Sequence, residues 1–154
     1  MLTGVVTAPS RISQVLPYMP HLLNIRRFFE SQCSDFKSRR RGFPKGYCHV
    51  TAGVVSHVTG LEAVAGLYSP HRSLVSQDHG WNFDRQKRLY VDLTGDQFGD
   101  FEPIMVASQE DERFDAFPSL REWEKSMFLS QVVRIRQITK RALVCYYAWK
   151  MASG

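Results

Sequence analysis

Apolar residues recur every three or four positions in the first third of the chain, which is the period of an α-helix. Over residues 20–36 they form a single stripe, made of Leu22, Ile25, Phe29, Cys33 and Phe36. Pro20 suits the first turn of such a helix. We therefore predict a helix over residues 20–36 and assign Cys33, which lies on the stripe, to core packing.

A second helical pattern begins at Cys48 and continues to Thr59. Val50, Val54 and Val58 lie on one line of this helix, and Gly60 is typical of a helix end. Because β-branched residues are weak helix formers, the helix needs burial against other elements to persist. We expect it in the middle of the fold.

After Gly60 the pattern changes to that of β-strands. We predict four strands, over residues 62–68, 79–84, 88–93 and 103–107, the second and third from their Trp, Phe, Tyr and Val content. Residues 108–118 are predicted as an acidic loop. This order of elements indicates an α+β domain with a mostly antiparallel sheet.

The last segment returns to helical periodicity. Ser119 and Glu122 have the spacing of a capping box, and the helix is predicted to continue toward Lys150. Its apolar stripe comprises Val132, Ile135, Ile138, Ala142, Cys145 and Trp149. Cys145 is therefore also assigned to packing.

The composition is that of a globular protein. A chain of 154 residues with 44% hydrophobic and 23% charged residues fits one domain over residues 1–154. No run approaches the ~20 apolar residues of a membrane span, and residues 1–11 do not resemble a secretory signal. We expect no membrane span, and a cytoplasmic location or export without a cleaved signal peptide.

The odd number of cysteines, three, does not suggest a disulfide framework, and the absence of a CxxC spacing disfavours a structural zinc site. A reducing compartment with free thiols is the default expectation. A metal held by Cys48, His79 and Asp92 is a further alternative, but scattered ligands without a paired motif favour it little. We expect no metal and no cofactor.

Charge is divided unevenly along the chain. The net charge is +6 over residues 1–47, −6 over 48–118 and +5 over 119–154. The simplest interpretation is internal complementarity between the chain ends and the middle. Nucleic-acid binding through Arg26, Arg27 and the basic run 37–41 is the alternative, and we disfavour it because such runs are usually solvated surface.

Cys48 differs from the other thiols because it opens a helix. The unsatisfied backbone N–H groups and the positive end of the helix dipole stabilise a thiolate there and lower its pKa. If residues 85–86 form a two-residue hairpin loop, His79 and Asp92 lie directly opposite each other, and Trp81 opposite Tyr90. A thiol, a base and an orienting carboxylate in this order suit nucleophilic catalysis.

The motif Gly46-Tyr47-Cys48-His49-Val50-Thr51-Ala52 resembles the cysteine motif of the transglutaminase-like superfamily. His79-Gly80-Trp81 resembles its His-x-Trp strand, and Val91-Asp92-Leu93-Thr94 its Asp-Pro-Thr segment, with Leu93 in place of proline. The resemblance implies a papain-like fold with its core over residues 46–108 and helical flanks over 11–36 and 119–150. It implies Cys48 as nucleophile, His79 as base and Asp92 as the orienting acid.

Other polar residues near the motif have alternative interpretations. Gln97 is the best side-chain candidate for stabilising an oxyanion, beside the more general backbone N–H of Cys48. We assign Asp96 to a turn rather than to catalysis. His49 is expected to point elsewhere on the helix, and His57 lies about two and a half turns away.

The sequence thus predicts a cysteine-dependent acyl-transfer enzyme that hydrolyses an amide or peptide bond of a protein or peptide-like substrate. A glutamine deamidase or transamidase with the same triad is the alternative. A non-catalytic interaction domain of papain-like fold is a third hypothesis. The small size is also consistent with a bacterial effector or toxin domain.

Overall fold

The computed structural model describes residues 16–32, 47–69, 75–98 and 104–153. The elements in chain order are α1 (Met19–Gln32, after a 3₁₀ turn at Leu16–Tyr18), α2 (Cys48–Thr59), β1 (Glu62–Tyr68), β2 (Gln77–Asp84), β3 (Leu89–Asp92), β4 (Met105–Ser108), β5 (Phe114–Ala116), α3 (Leu120–Lys125) and α4 (Leu129–Ser153). A second 3₁₀ turn, Gly95–Phe98, follows β3. The α+β class predicted from the pattern is confirmed.

The five strands form one antiparallel sheet in the order β4-β3-β2-β1-β5. Successive strand residues point to opposite sides of the sheet, so each strand contributes side chains to both faces. Both faces carry apolar side chains. On one face they join α1, α2 and α4 in a core that includes Leu89, Val91 and Val106. On the other they form an aromatic cluster of Tyr68, Trp81, Phe83, Tyr90 and Phe114, with Met105 and Ala107.

Helix α2 is the central helix, as its apolar pattern predicts. Val50, Val54 and Val55 are buried in the main core. The helix ends at Thr59, and Gly60 adopts the left-handed conformation with its N–H donating to the Ser56 carbonyl. Burial therefore supplies the stability that the β-branched composition lacks.

The predicted register of the β2–β3 hairpin is wrong by two residues. The turn spans four residues, 85–88, with Arg88 at φ +53°, so that Asn82 pairs with Val91 and Phe83 with Tyr90. The Arg-Gln pair lacks the glycine or asparagine that a two-residue turn needs. Because the shift is even, every side chain keeps its predicted face, and Asp92 becomes a diagonal neighbour of His79.

Two further predictions are corrected near the C-terminus. The acidic segment 108–118 contains strand β5, whose pairing with the free edge of β1 no local pattern indicates. The C-terminal helix is two helices, because Ser126 donates both its N–H and its hydroxyl to the Trp123 carbonyl and closes α3. Ser119 caps α3 as predicted, accepting from the Glu122 N–H.

Several predicted features lie outside the described residues: the helix ends at 11–15 and 33–36, Cys33, the basic run 37–41, Gly46 and Pro103. Within the described ranges, no helix combines the length and the apolar character needed to cross a membrane.

Candidate active site

Cys48 is the first residue of α2, and the residue is 8% exposed. Tyr47, the residue before it, makes no side-chain cap, so the first-turn N–H groups receive no capping acceptor from that residue. Those N–H groups and the helix dipole therefore act on the thiol. Cys145 is the other described cysteine, and it packs against the main core as predicted.

His79 and Asp92 form a buried pair. The imidazole Nε2 lies 2.7 Å from the Asp92 Oδ2, and the two side chains are 0% and 1% exposed. Thr94 fixes the other carboxylate oxygen, since its N–H donates to Oδ1 over 2.9 Å. The structure thus brings together the predicted base and its carboxylate, through a diagonal rather than a direct cross-strand contact.

The His79 imidazole interacts with the Cys48 thiol and lowers its pKa, and because Nε2 lies against Asp92, Nδ1 is the nitrogen that can take the thiol proton. Burial alone would raise the pKa of Cys48, but the imidazoles of His49 and His79 outweigh it and lower the pKa to about 5. Burial would lower the pKa of His79, but the Asp92 charge and hydrogen bond, with the sulfur, raise it to about 10. Both shifts favour a thiolate–imidazolium pair at neutral pH.

Gln97 and Trp81, the predicted supporting residues, both lie beside His79. The Gln97 Nε2 donates to the Thr94 carbonyl over 3.0 Å and is 3.5 Å from His79 Nδ1. Trp81 stacks on the His79 ring with centroids 5.8 Å apart, and Tyr68 flanks the same ring at 5.4 Å. The aromatic cluster therefore forms the wall that keeps water from the buried pair.

The expectation that His49 points elsewhere is wrong. The Cys48 sulfur raises the pKa of its ring, and its Nε2 lies 2.9 Å from the Asp78 Oδ2. The same ring stacks on Trp123 at 4.2 Å, and the Trp123 Nε1 donates to Asp78 Oδ1 over 2.9 Å. A second imidazole–carboxylate pair therefore flanks the thiol.

Sequence reasoning missed this second pair although its members are neighbours of the first. His49 follows Cys48, and Asp78 precedes His79, so strand alternation places Asp78 on the opposite face from His79. That alternation puts Asp78 on the face of β2 against which His49 packs, and it was the signal for this pair that the sequence contained. No local signal connects Trp123, which lies 45 residues beyond Asp78, to either of them.

Asp96 and Arg26 hold the site in place instead of contributing to it. The Arg26 guanidinium donates to both Asp96 oxygens over 2.8 and 2.6 Å, and to the Leu93 carbonyl over 2.6 Å. This bidentate pair fastens α1 to the turn that carries Thr94 and Gln97. Arg26 is buried, so it is not the exposed nucleic-acid contact that the sequence offered as an alternative.

A largely apolar cavity of about 330 Å³ opens beside His49. It lies between α2, β1, α3 and α4, and its walls include Ala52, Ala63, Trp123 and Val132. Arg136, Glu124 and Lys140 also line it. The volume is at the lower end of that of small-molecule sites.

Among the residues that the structure describes, no group of three His, Cys, Asp or Glu side chains is arranged to hold a metal ion. Comparisons with protein-family models, with curated proteins and with solved structures matched nothing to this chain.

Proposed function

We propose that this protein is a cysteine-dependent acyl-transfer enzyme that hydrolyses an amide or peptide bond. The observation that carries the proposal is the buried His79–Asp92 pair, with Nε2 2.7 Å from Oδ2, beside a helix-opening Cys48 whose pKa the His79 imidazole lowers. Each of the three roles of a thiol triad, nucleophile, proton acceptor and orienting carboxylate, then has one residue.

The chemistry follows from the charges of these groups. The Cys48 thiolate attacks the substrate carbonyl, forming a C–S bond and a tetrahedral oxyanion. Loss of the amine breaks the C–N bond as the nitrogen takes a proton from an imidazolium beside the sulfur, and it leaves a thioester on Cys48. Water then attacks the thioester and gives a proton to that imidazole, the C–S bond breaks, and the acid leaves with the thiolate restored. The Cys48 backbone N–H and the Gln97 amide are the candidate donors to the oxyanion.

We also propose that the fold is papain-like, of the transglutaminase-like type. A cysteine that opens a central helix, with histidine and aspartate on adjacent antiparallel strands, supports this assignment. The support is geometric and covers the core elements α2 to β4. Protein or peptide-like substrates follow from the same assignment.

The test incubates wild type and Cys48→Ala with a mixed pool of proteins and cell-wall fragments and compares the products by mass. Cys145→Ala, which removes a thiol outside the site, is the matched control. New fragments with wild type and Cys145→Ala, and none with Cys48→Ala, are expected.

Two other outcomes would change the proposal. Ammonia release with a mass gain of about one unit per glutamine, and no fragments, would replace hydrolysis by deamidation; incorporation of an added amine would indicate transamidation. Products that are the same with Cys48→Ala would contradict a thioacyl mechanism altogether.

A further inference from the structure

Two imidazole–carboxylate pairs meet at one sulfur, and they differ in their access to solvent. The His79–Asp92 pair is fully enclosed, with side chains 0% and 1% exposed, and the aromatic rings of Tyr68 and Trp81 lie against the imidazole. In the His49–Asp78 pair the side chains are 15% and 55% exposed. Only the second pair therefore opens to the side from which water and a leaving group must come and go.

The His49 ring is held in a fixed place. Trp123 stacks on it, Asp78 bonds its Nε2, and Gly80 leaves room for its Nδ1, since a Cβ on Gly80 would lie 2.6 Å from that atom. Trp123 also fixes the Asp78 carboxylate through Nε1. Because Nε2 is engaged with Asp78, Nδ1 is the nitrogen that exchanges a proton. The same ring lines the apolar cavity, which provides room for part of a substrate.

Resting on the proposed function, we infer that His49 and Asp78 form a second catalytic pair, in which His49 protonates the leaving amine and then accepts a proton from the hydrolytic water. His79 and Asp92 remain the pair that stabilises the thiolate. His49 is a catalytic residue in this scheme because it exchanges protons with the leaving amine and the water, and Asp78 is a positioning residue that acts through it.

The protons gained and lost by His49 balance over one catalytic cycle. During acylation the C–S bond forms, the C–N bond breaks, and the amine nitrogen takes the Nδ1 proton of charged His49. During deacylation the water oxygen bonds to the thioester carbon while neutral His49 takes a proton from that water. The C–S bond then breaks, the sulfur leaves as thiolate, and His49 is again charged.

The causes of the two histidine pKa shifts agree with this division. Burial lowers the pKa of His49, and the Cys48 charge is the largest of the influences that raise it to about 9. Acylation removes that sulfur charge, so the pKa of His49 falls and its neutral form, which can act as a base, becomes more populated. For His79, after burial, the largest influence is the Asp92 charge, which acylation leaves in place. The Asp92 charge therefore still favours the charged form of His79 beside the developing oxyanion.

The test uses the full chain and p-nitrophenyl acetate as the acyl donor. The p-nitrophenolate group leaves without a proton, so acylation of Cys48 does not need a general acid, whereas hydrolysis of the acetyl-thioester needs a base. At pH 8.5 we expect His49→Gln to keep the p-nitrophenolate burst within about threefold of wild type. Its deacylation should slow by roughly 10²-fold or more, the usual contribution of general acid–base catalysis.

Three comparisons give this result its meaning. His57→Gln, the same substitution on an exposed residue of the same helix, should leave both phases unchanged. Asp78→Asn should slow deacylation with the burst retained. Hydroxylamine, a nucleophile that does not need a base, should restore acyl transfer in His49→Gln, which a merely structural defect would not allow.

Failure of this inference differs from failure of the proposed function. If His49→Gln deacylates at the wild-type rate, or loses its burst and turnover in equal proportion, His49 is not the base and the inference is wrong. If wild type gives no burst that depends on Cys48, the proposed function fails first and the inference fails with it. His79→Ala should separate the pairs by losing the burst itself.

Discussion

The pH dependence of Cys48 alkylation tests the electrostatics of the site most directly. A thiol with its pKa lowered from 9.0 to about 5 is about 90% thiolate at pH 6, whereas a thiol at 9.0 is about 0.1% thiolate. The gain in thiolate is therefore about nine-hundredfold. A less basic thiolate is also a weaker nucleophile, with a Brønsted slope of about 0.4–0.5, which over this shift costs roughly 40- to 100-fold.

The two effects together give an advantage of about ten- to twentyfold at pH 6 and a reversal at higher pH. Near pH 7 the two kinds of thiol should react at similar rates. By pH 8 the ordinary thiol should be several times faster, because its thiolate fraction has risen while that of Cys48 is already saturated. A crossing of the two rate profiles is a sharper expectation than fast labelling alone.

The assay is iodoacetamide labelling between pH 4 and 9, with the rate at each cysteine followed by peptide mass. Cys145 is the internal standard, and His57→Ala is the control for loss of a histidine from the same helix. The Cys48 rate should rise with a midpoint near pH 5 in wild type. His79→Ala should move that midpoint upward, since it removes an imidazolium that stabilises the thiolate.

The opposite result is equally clear. If Cys48 has a midpoint near 9 and no advantage over Cys145 at pH 6, the two imidazoles do not lower its pKa, and the thiolate–imidazolium pair does not exist in solution. An unchanged midpoint in His79→Ala would instead assign the shift to His49 and the helix terminus.

Three other substitutions test the support of the site. Asp92→Asn should lower turnover by roughly 10²–10⁴-fold in a steady-state assay with p-nitrophenyl acetate, because His79 loses the charge that holds it protonated; retention of full activity would remove Asp92 from the mechanism. Arg26→Ala should cost about 3 kcal/mol in urea unfolding, because it leaves Asp96 and the Leu93 carbonyl without their charged donor; an unchanged midpoint would mean that water replaces the guanidinium. Gly66→Ala should destabilise the fold by about 1–3 kcal/mol in the same assay, since a Cβ would lie 2.1 Å from a backbone oxygen of β5; wild-type stability would show that β5 moves freely.

The hairpin illustrates how far strand periodicity carries a prediction. The alternation of residues 79–84 and 88–93 identified the faces of His79 and Asp92, and the structure keeps those faces. The register depended on the turn, and the turn length could not be read from Arg-Gln-Lys-Arg because none of these residues demands a particular turn type. An error of two residues moved the contact from direct to diagonal without separating the pair.

Helix α2 illustrates a prediction that the sequence nearly completes by itself. Its start at Cys48, its end at Thr59 and the left-handed Gly60 all follow from local chemistry and agree with the structure. Strand β5 and the break between α3 and α4 illustrate the reverse. The three residues of β5 form a strand only because the edge of β1 that does not face β2 is open to pairing. Ser126 ends α3 by hydrogen-bonding to the Trp123 carbonyl, and the unbroken helical period of the sequence does not reveal this end.

The sequence by itself determined the helix that presents the thiol, the strands that carry His79 and Asp92, and the face each residue occupies, because these depend on periods of a few residues. Only the tertiary structure decided which charges meet at the sulfur. Two contacts depend on how separate elements pack. One is that of Trp123 in α3 with His49 and Asp78, and the other is that of Arg26 in α1 with Asp96. That packing is set by the burial of whole apolar faces, so no local pattern around Cys48 records that a second imidazole–carboxylate pair stands beside it.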